Sequence, residues 1–316
     1  MRRVLALLAA FASTLALAQP YPSKPIRMVV AFPPGGPVDV VARLITPKMS
    51  DTLGQPIVVE NTGGGGGNIA AARVAKSPAD GYTILAHSSA YAVNPTLIGN
   101  IGFDAEKDMT AIAIAGRQPN LIFVHADFPA KTLAELIQRA KTDKLAFASP
   151  SSGTTPHLTA ENLFKIRAKV DITHVPFKGA GPAMNGVLGG QPPIGVLAGT
   201  APMPHIKSGR IRALAVSSAQ RLALLPDVPT LAELGYPGME DYTWVGLFVP
   251  SGVPADIAQK LNDAAVRAAQ SPEIRERLES LSFEPMAAPL RQTADYVRSE
   301  LAKWSKVVRE TGAKPD

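Results

Sequence analysis

The chain has 316 residues, among them 26 glycines, 29 prolines and no cysteine, and a formal charge of +6. A composition 46% hydrophobic and 18% charged is globular and excludes a disordered or fibrous chain. The missing cysteines exclude thiol catalysis, thiolate-bound zinc, iron–sulfur clusters, disulfides and a lipidated cysteine anchor.

Met1-Arg2-Arg3 opens the chain with positive charge, and Val4 to Leu17 is almost wholly apolar or small. Ala16-Leu17-Ala18 then fits a cleavage site before Gln19, the layout of a secretory signal peptide over residues 1–18. The apolar run is short for a membrane span, and no later stretch approaches 18 uninterrupted apolar residues. Cleavage would remove two arginines and no acid, lowering +6 to +4. The expected location is the periplasm, without a lipid anchor.

Ile26 to Phe32 is a continuous apolar run, the mark of a strand buried on both faces. Pro33-Pro34-Gly35-Gly36-Pro37 breaks it, and a helix begins at Val38, with Pro47 expected to kink or shorten it. Ile57 to Glu60 predicts a second strand running into Gly63–Gly67, and Asn68 is expected to cap a helix through Val74. Tyr82 to Ala86 predicts a third strand, followed by His87-Ser88-Ser89 and a short helix near Pro95. Ala111–Ala115 and Leu121–His125 read as two further strands. Thr132-Leu133-Ala134-Glu135 is a capping box opening a helix.

The pattern then restarts. Leu145–Ser149, Ile172–Phe177, Ile194–Ala198, Ile211–Val216 and Trp244–Val249 read as strands. His157–Lys165 and Ala183–Leu188 read as helices. Thr230-Leu231-Ala232-Glu233 is a second capping box, and Pro254–Ala269 and Arg291–Glu310 are long amphipathic helices. Strand, Gly/Ser/Pro loop and helix alternate in two successive units, which predicts parallel sheet covered by helices.

Enzymatic signatures are missing. There is no G-x-S-x-G, H-E-x-x-H or Walker loop, and the glycine run fails G-x-G-x-x-G at Asn68. The five histidines are scattered, so no metal site is expected. Aromatics are 6% and the basic residues mix with acids, so nucleic acid is not an expected partner. No cofactor is implied. The strand-to-helix junctions carry the signal instead. In an open α/β sheet they lie where ligands bind, with unpaired backbone N–H groups and the positive end of a helix facing outward. Residues 33–37 and 63–68 are the strongest candidates for a carboxylate, although each is also a plausible tight turn. Ser151–His157 reads as ligand contact or as helix capping, with Ser–His catalysis disfavoured because no third member is evident. Lys178 reads equally as a solvated loop lysine, and Tyr91 as core.

The chain resembles Bug-type extracytoplasmic solute-binding receptors of tripartite tricarboxylate transporters. The motifs that carry this begin with Tyr21–Arg27, Phe32–Arg43, Gly54–Pro56, Gly65–Ile69 and Asp80–Thr83. They continue through Thr155–Leu158, Val175–Ala183, Leu188–Gln191, Pro204–Lys207, Arg212–Val216 and Pro229–Gly235, spanning essentially the whole mature chain. The resemblance implies an α/β, two-lobed periplasmic binding protein clamshell, type II-like, with two interlobe crossings. Lobe 1 would be residues 19–122 with 245–316, and lobe 2 residues 123–244. It implies a monomeric receptor, not an enzyme, that delivers a small carboxylate to membrane permease subunits. A sensor kinase is an alternative partner, and an exported enzyme on the same fold a remote one.

The ligand contacts it implies in lobe 1 are Phe32, Pro34, Gly35, Gly36, Pro37, Asp39, Gly65, Gly66 and Asn68, with Ser88, Ser89, Tyr91 and Asn94 from the third loop. In lobe 2 they are Ser152, Thr154, Thr155 and His157, then Phe177, Lys178, Gly179 and Ala180, and finally Leu197 and Ala198. The apolar run Ile194–Ala198 departs from relatives that carry an acidic or amide residue there. An ammonium would lack its counter-charge, so a dicarboxylate or aromatic carboxylate is expected. Pro47 and the bulky His87–Tyr91 loop are further departures.

Overall fold

A computed structural model describes residues 20–315. The expected signal peptide lies outside them. Lobe 1 opens with three alternating strand–helix pairs. Strand β1 (Ile26–Val30) leads into α1 (Pro37–Leu53), and β2 (Ile57–Asn61) into a single 3₁₀ turn, Gly65–Gly67, and α2 (Asn68–Ala75). Strand β3 (Thr83–Ser88) leads into α3 (Ala90–Leu97). Strand β1 pairs in parallel with both β2 and β3, as continuous apolar strands between helical layers should.

Residues 111–125 do not form two strands. Met109–His125 is one strand, β4, 17 residues long. Its first part, Met109–Pro119, pairs antiparallel with β9 (Tyr242–Pro250), and β9 continues the lobe 1 sheet against β3. Its second part pairs antiparallel with β7 (Ile194–Ala198) and β8 (Ile211–Val216). Lobe 2 also holds α4 (Leu133–Arg139), β5 (Leu145–Ser149), α5 (Thr155–Glu161) and β6 (Ile172–Pro176). Helix α5 runs on as a π-helical turn, Asn162–Arg167. Helices α6 (Ala180–Leu188) and α7 (Met203–Lys207) complete the lobe, and β5 lies parallel to β6 and β7. The sheet is therefore mixed rather than parallel. The chain crosses between lobes twice, in β4 and at the start of β9, which makes the fold a two-lobed periplasmic-binding-type clamshell.

After β9 the chain returns to lobe 1 through α8 (Ala255–Gln270), α9 (Pro272–Ser280), the short β10 (Glu284–Pro285) and α10 (Leu290–Thr311). Helix α10 anchors itself through Glu300, whose Oε2 accepts from the indoles of Trp244 at 2.8 Å and Trp304 at 3.0 Å. It also meets lobe 2: Leu158, on α5, is fully buried in the same apolar cluster as Trp244, Val297, Trp304 and Val308. Pro47 sits inside α1 without ending it, so the helix absorbs one missing hydrogen bond. The box at Thr230 does form, with Glu233 N donating to Thr230 and Thr230 N to Glu233. It closes a turn instead of a helix, because Gly235 and Pro237 follow at once.

Candidate functional site

The strand-to-helix loops of the two lobes face each other across a cleft. Its inner cavity is lined from lobe 1 by Phe32, Pro33, Pro34, Gly36, Pro37, Val38 and Ser88, and at the crossing by Thr243. Lobe 2 contributes Pro150, Thr154, Thr155, Pro156, Gly179, Ala180, Gly181, Pro182 and Ala198. None of these side chains is charged. An outer cavity shares Phe32, Pro33, Pro150 and Gly179 and is bounded by Gly63–Gly67, Ser151, Phe177 and Lys178.

Helix N-termini meet at the inner cavity. α1, α5 and α6 start at Gly36, Thr154 and Gly179, and none of the three is capped by a side-chain hydrogen bond. Their first-turn N–H groups have no partner within the helix and carry the positive end of its dipole. Together they form a neutral but electropositive lining suited to a carboxylate.

Several expected residues shape this lining without bordering it. Asp39 is buried and fully engaged: it accepts from Gly35 N at 3.0 Å, Arg43 Nε at 2.9 Å and Asn61 Nδ2 at 2.9 Å. Asn61 also donates to Phe32 O, so Asp39 fixes the Pro-Gly loop rather than lining the cavity. Gly35 itself is turned to this task. Asn68 is the first helical residue of α2 and not its cap. Its Oδ1 accepts from Asn94 Nδ2, which also donates to Gly66 O. Asn94 is buried beneath the glycine loop, with Oδ1 toward Gly153 of lobe 2, where an added Cβ would fall 2.1 Å away. Gly153 has φ +75°, so two constraints require glycine there. Ser152 meets lobe 1 through its carbonyl, 3.4 Å from a Cβ placed on Gly66.

Four expected contacts are corrected. Tyr91 belongs to the lobe 1 core, stacked on Phe248 at 4.1 Å with its hydroxyl donating to Ala105 O. Leu197 points into the lobe 2 core, and only its neighbour Ala198 reaches the cavity. His157 turns inward, stacking on His174 at 3.9 Å, and its Nδ1 accepts from Gly153 N. Burial first, then His174 and Lys165, push its pKa down to about 3, so it is a neutral strut of the loop. Ser89 lies behind the cleft floor. His87, beneath Gly67, is also held neutral by burial, its pKa lowered to about 4.

The floor is a buried polar chain. Ser89 Oγ lies 2.9 Å from Thr155 Oγ1, which lies 2.8 Å from Thr243 Oγ1. Thr243 donates to Asn120 Oδ1 at 2.8 Å, and Asn120 Nδ2 donates to Asp241 Oδ1 at 2.7 Å. Asp241 also accepts from Thr159 at 2.7 Å, and burial raises its pKa to about 6. Thr243 and Pro150 border the cavity although nothing in their local sequence singled them out. Thr243 reaches the cleft only because β9 crosses there.

The family model of the tripartite tricarboxylate transporter family receptor, TctC, matches residues 41–313. The chain belongs to this family. Solved structures similar to this TctC receptor include the periplasmic binding protein BugD, at 33% identity and TM-score 0.88 over 94% of this chain and 100% of that one. MatC from Rhodopseudomonas palustris with bound malate is 35% identical, TM-score 0.85, covering 91% of this chain and all of MatC. R. palustris Rpa4515 with adipate is 34% identical, TM-score 0.89, covering 94% and 100%. Among the described residues no helix is long and apolar enough to cross a membrane, and no group of three or more metal-ligating side chains occurs.

Proposed function

We propose that this TctC-family receptor works in the periplasm, exported by residues 1–18, and captures a small organic carboxylate, either a dicarboxylate or an aromatic carboxylate. It then delivers the solute to the membrane permease subunits of a tripartite transporter. The observation that carries this reading is the convergence of side-chain-uncapped helix N-termini from both lobes on a cavity without a charged side chain. That arrangement attracts an anion and offers no counter-charge to an ammonium. The malate and adipate bound by MatC and Rpa4515 support the same class.

Only the closed cleft gives a solute contacts from both lobes, so binding shifts an open–closed equilibrium about the crossings in β4 and β9. We take these crossings as the lobe boundaries. No nucleophile–base pair borders the cavity, which favours capture over turnover. Thermal-shift screening against carboxylates, amines, sugars and divalent metals tests the reading. Carboxylates should raise the melting temperature. Stabilisation confined to any of the other three classes would overturn it.

A further inference from the structure

Asn94 is fully buried in α3, yet it lines neither cavity of the cleft. Its Nδ2 donates to Gly66 O and to Asn68 Oδ1, each at 3.1 Å, and flipping the amide would set its oxygen against the Gly66 carbonyl. Oδ1 therefore faces the other way, onto Gly153 of lobe 2, and accepts no hydrogen bond from any described residue. The donors of the Gly153 loop are committed elsewhere. Gly153 N donates to His157 Nδ1 at 3.3 Å, and Thr154 gives its N–H and its hydroxyl to Ser151 O at 3.4 and 2.8 Å. Leu97 brings only a methyl group to the same spot.

What covers Oδ1 thus belongs to the opposite lobe. A Cβ on Gly153 would fall 2.1 Å from Oδ1, so the bare backbone of glycine seals the amide oxygen. Behind this loop, helix α5 is tied to the crossing: Thr155 Oγ1 lies 2.8 Å from Thr243 Oγ1, and Thr159 donates to Asp241 Oδ2 at 2.7 Å. The loop 151–154 reaches from that tie onto lobe 1. Burying an acceptor without a partner costs more than an ordinary hydrogen bond gains.

Building on the open–closed reading above, we propose that Asn94 is an opening spring of the clamshell. Separation of the lobes lifts Gly153 away and admits water to Oδ1. Closure strips that water and returns no donor, so the empty receptor is biased toward the open form by about tenfold or more. A solute keeps the lobes shut only if its preference for the closed form exceeds this bias. The spring lies outside the cavities, so it acts alike on every acid that binds.

The chain has no cysteine, so Lys48→Cys on lobe 1 and Asn185→Cys on lobe 2, both exposed, provide a unique pair for spin labels. Pulsed electron–electron distance measurement on this labelled chain without solute reads the closed-to-open ratio. Asn94→Leu, close in size but lacking the oxygen, should raise that ratio about tenfold. Asn94→Asp, which keeps an oxygen and adds charge, should lower it. Both variants lose the bond to Gly66 O, so opposite shifts separate the orphaned oxygen from mere support of the glycine loop. If Asn94→Leu does not fold, Leu97→Gln should raise the ratio instead. It offers Oδ1 a donor from three residues along α3 and keeps the bonds to Gly66 and Asn68. A ratio unchanged or lowered when the oxygen is removed or paired would overturn the proposal. So would a rise with Asn94→Asp. Neither outcome bears on the thermal-shift screen, which decides carboxylate capture separately.

Discussion

Asp39 illustrates how a residue can control a site it does not touch. Its carboxylate gathers Gly35 N, Arg43 and Asn61, and these contacts tie the Pro-Gly loop to the first turn of α1 and to β2. Replacing it with alanine leaves the Gly35 and Asn61 donors without their acceptor. Asp39→Ala should cost about 2–3 kcal/mol in urea unfolding, the cost of orphaning buried donors of this kind. Because the effect runs through the loop, the affinity for every acid that binds should weaken by a similar factor, about tenfold in calorimetry. A loss confined to one acid would instead mark Asp39 as a direct contact. The same lesson applies to His157 and Asn94. The sequence marks them as chemically able, and burial then assigns them to holding loops.

At the scale of elements, the alternation of strand, Gly/Pro/Ser loop and helix was legible, and each of the loops 33–37, 63–68, 152–157 and 177–180, expected to hold a ligand, has residues that border the cavities. What was not legible depended on pairing. Gly116-Arg117-Gln118-Pro119 reads as a break, yet β4 runs straight through it. Arg117 pairs with Glu284 at 2.8 Å and stacks over Tyr242 at 4.1 Å, while the backbone of Pro119 lies opposite Tyr242. These partners lie more than 100 residues away in sequence, so no local pattern announces them. Thr243 is a site residue for the same reason. Helix α5 is another element whose role depends on distant chain. Its N-terminus faces the cavity, and Leu158, one turn on, is buried against α10. Leu158→Ala should cost about 3 kcal/mol in chemical denaturation, within the range for a fully buried leucine. A loss below about 1 kcal/mol would mean that α10 does not brace α5.

For the molecule as a whole, buried titratable groups set the response to acid. Burial lowers the pKa of His87, His157 and His174 to about 4, 3 and 4 in the folded state. Each contributes stability that is present above the unfolded value near 6.5 and lost as pH falls toward the folded value. Asp241 works the other way. Its raised pKa of about 6 contributes stability that is full below its unfolded value near 4 and lost as pH rises through 6. Between pH 6 and 5, three imidazoles oppose one carboxyl, so unfolding should take up about two protons net. The folding free energy should then fall by about 1.4 kcal/mol per proton for each pH unit. Asp241→Asn should steepen the loss to about three protons. A wild-type melting temperature flat over that interval would contradict the assignment. The inner cavity has one more consequence, for kinetics. Six of its lining residues are prolines, whose backbone angle is fixed before any solute arrives. Little of the wall needs ordering at the moment of capture, so encounter with the open cleft is set by diffusion and lobe closure. Competing acids should therefore differ in how long they stay rather than in how fast they arrive.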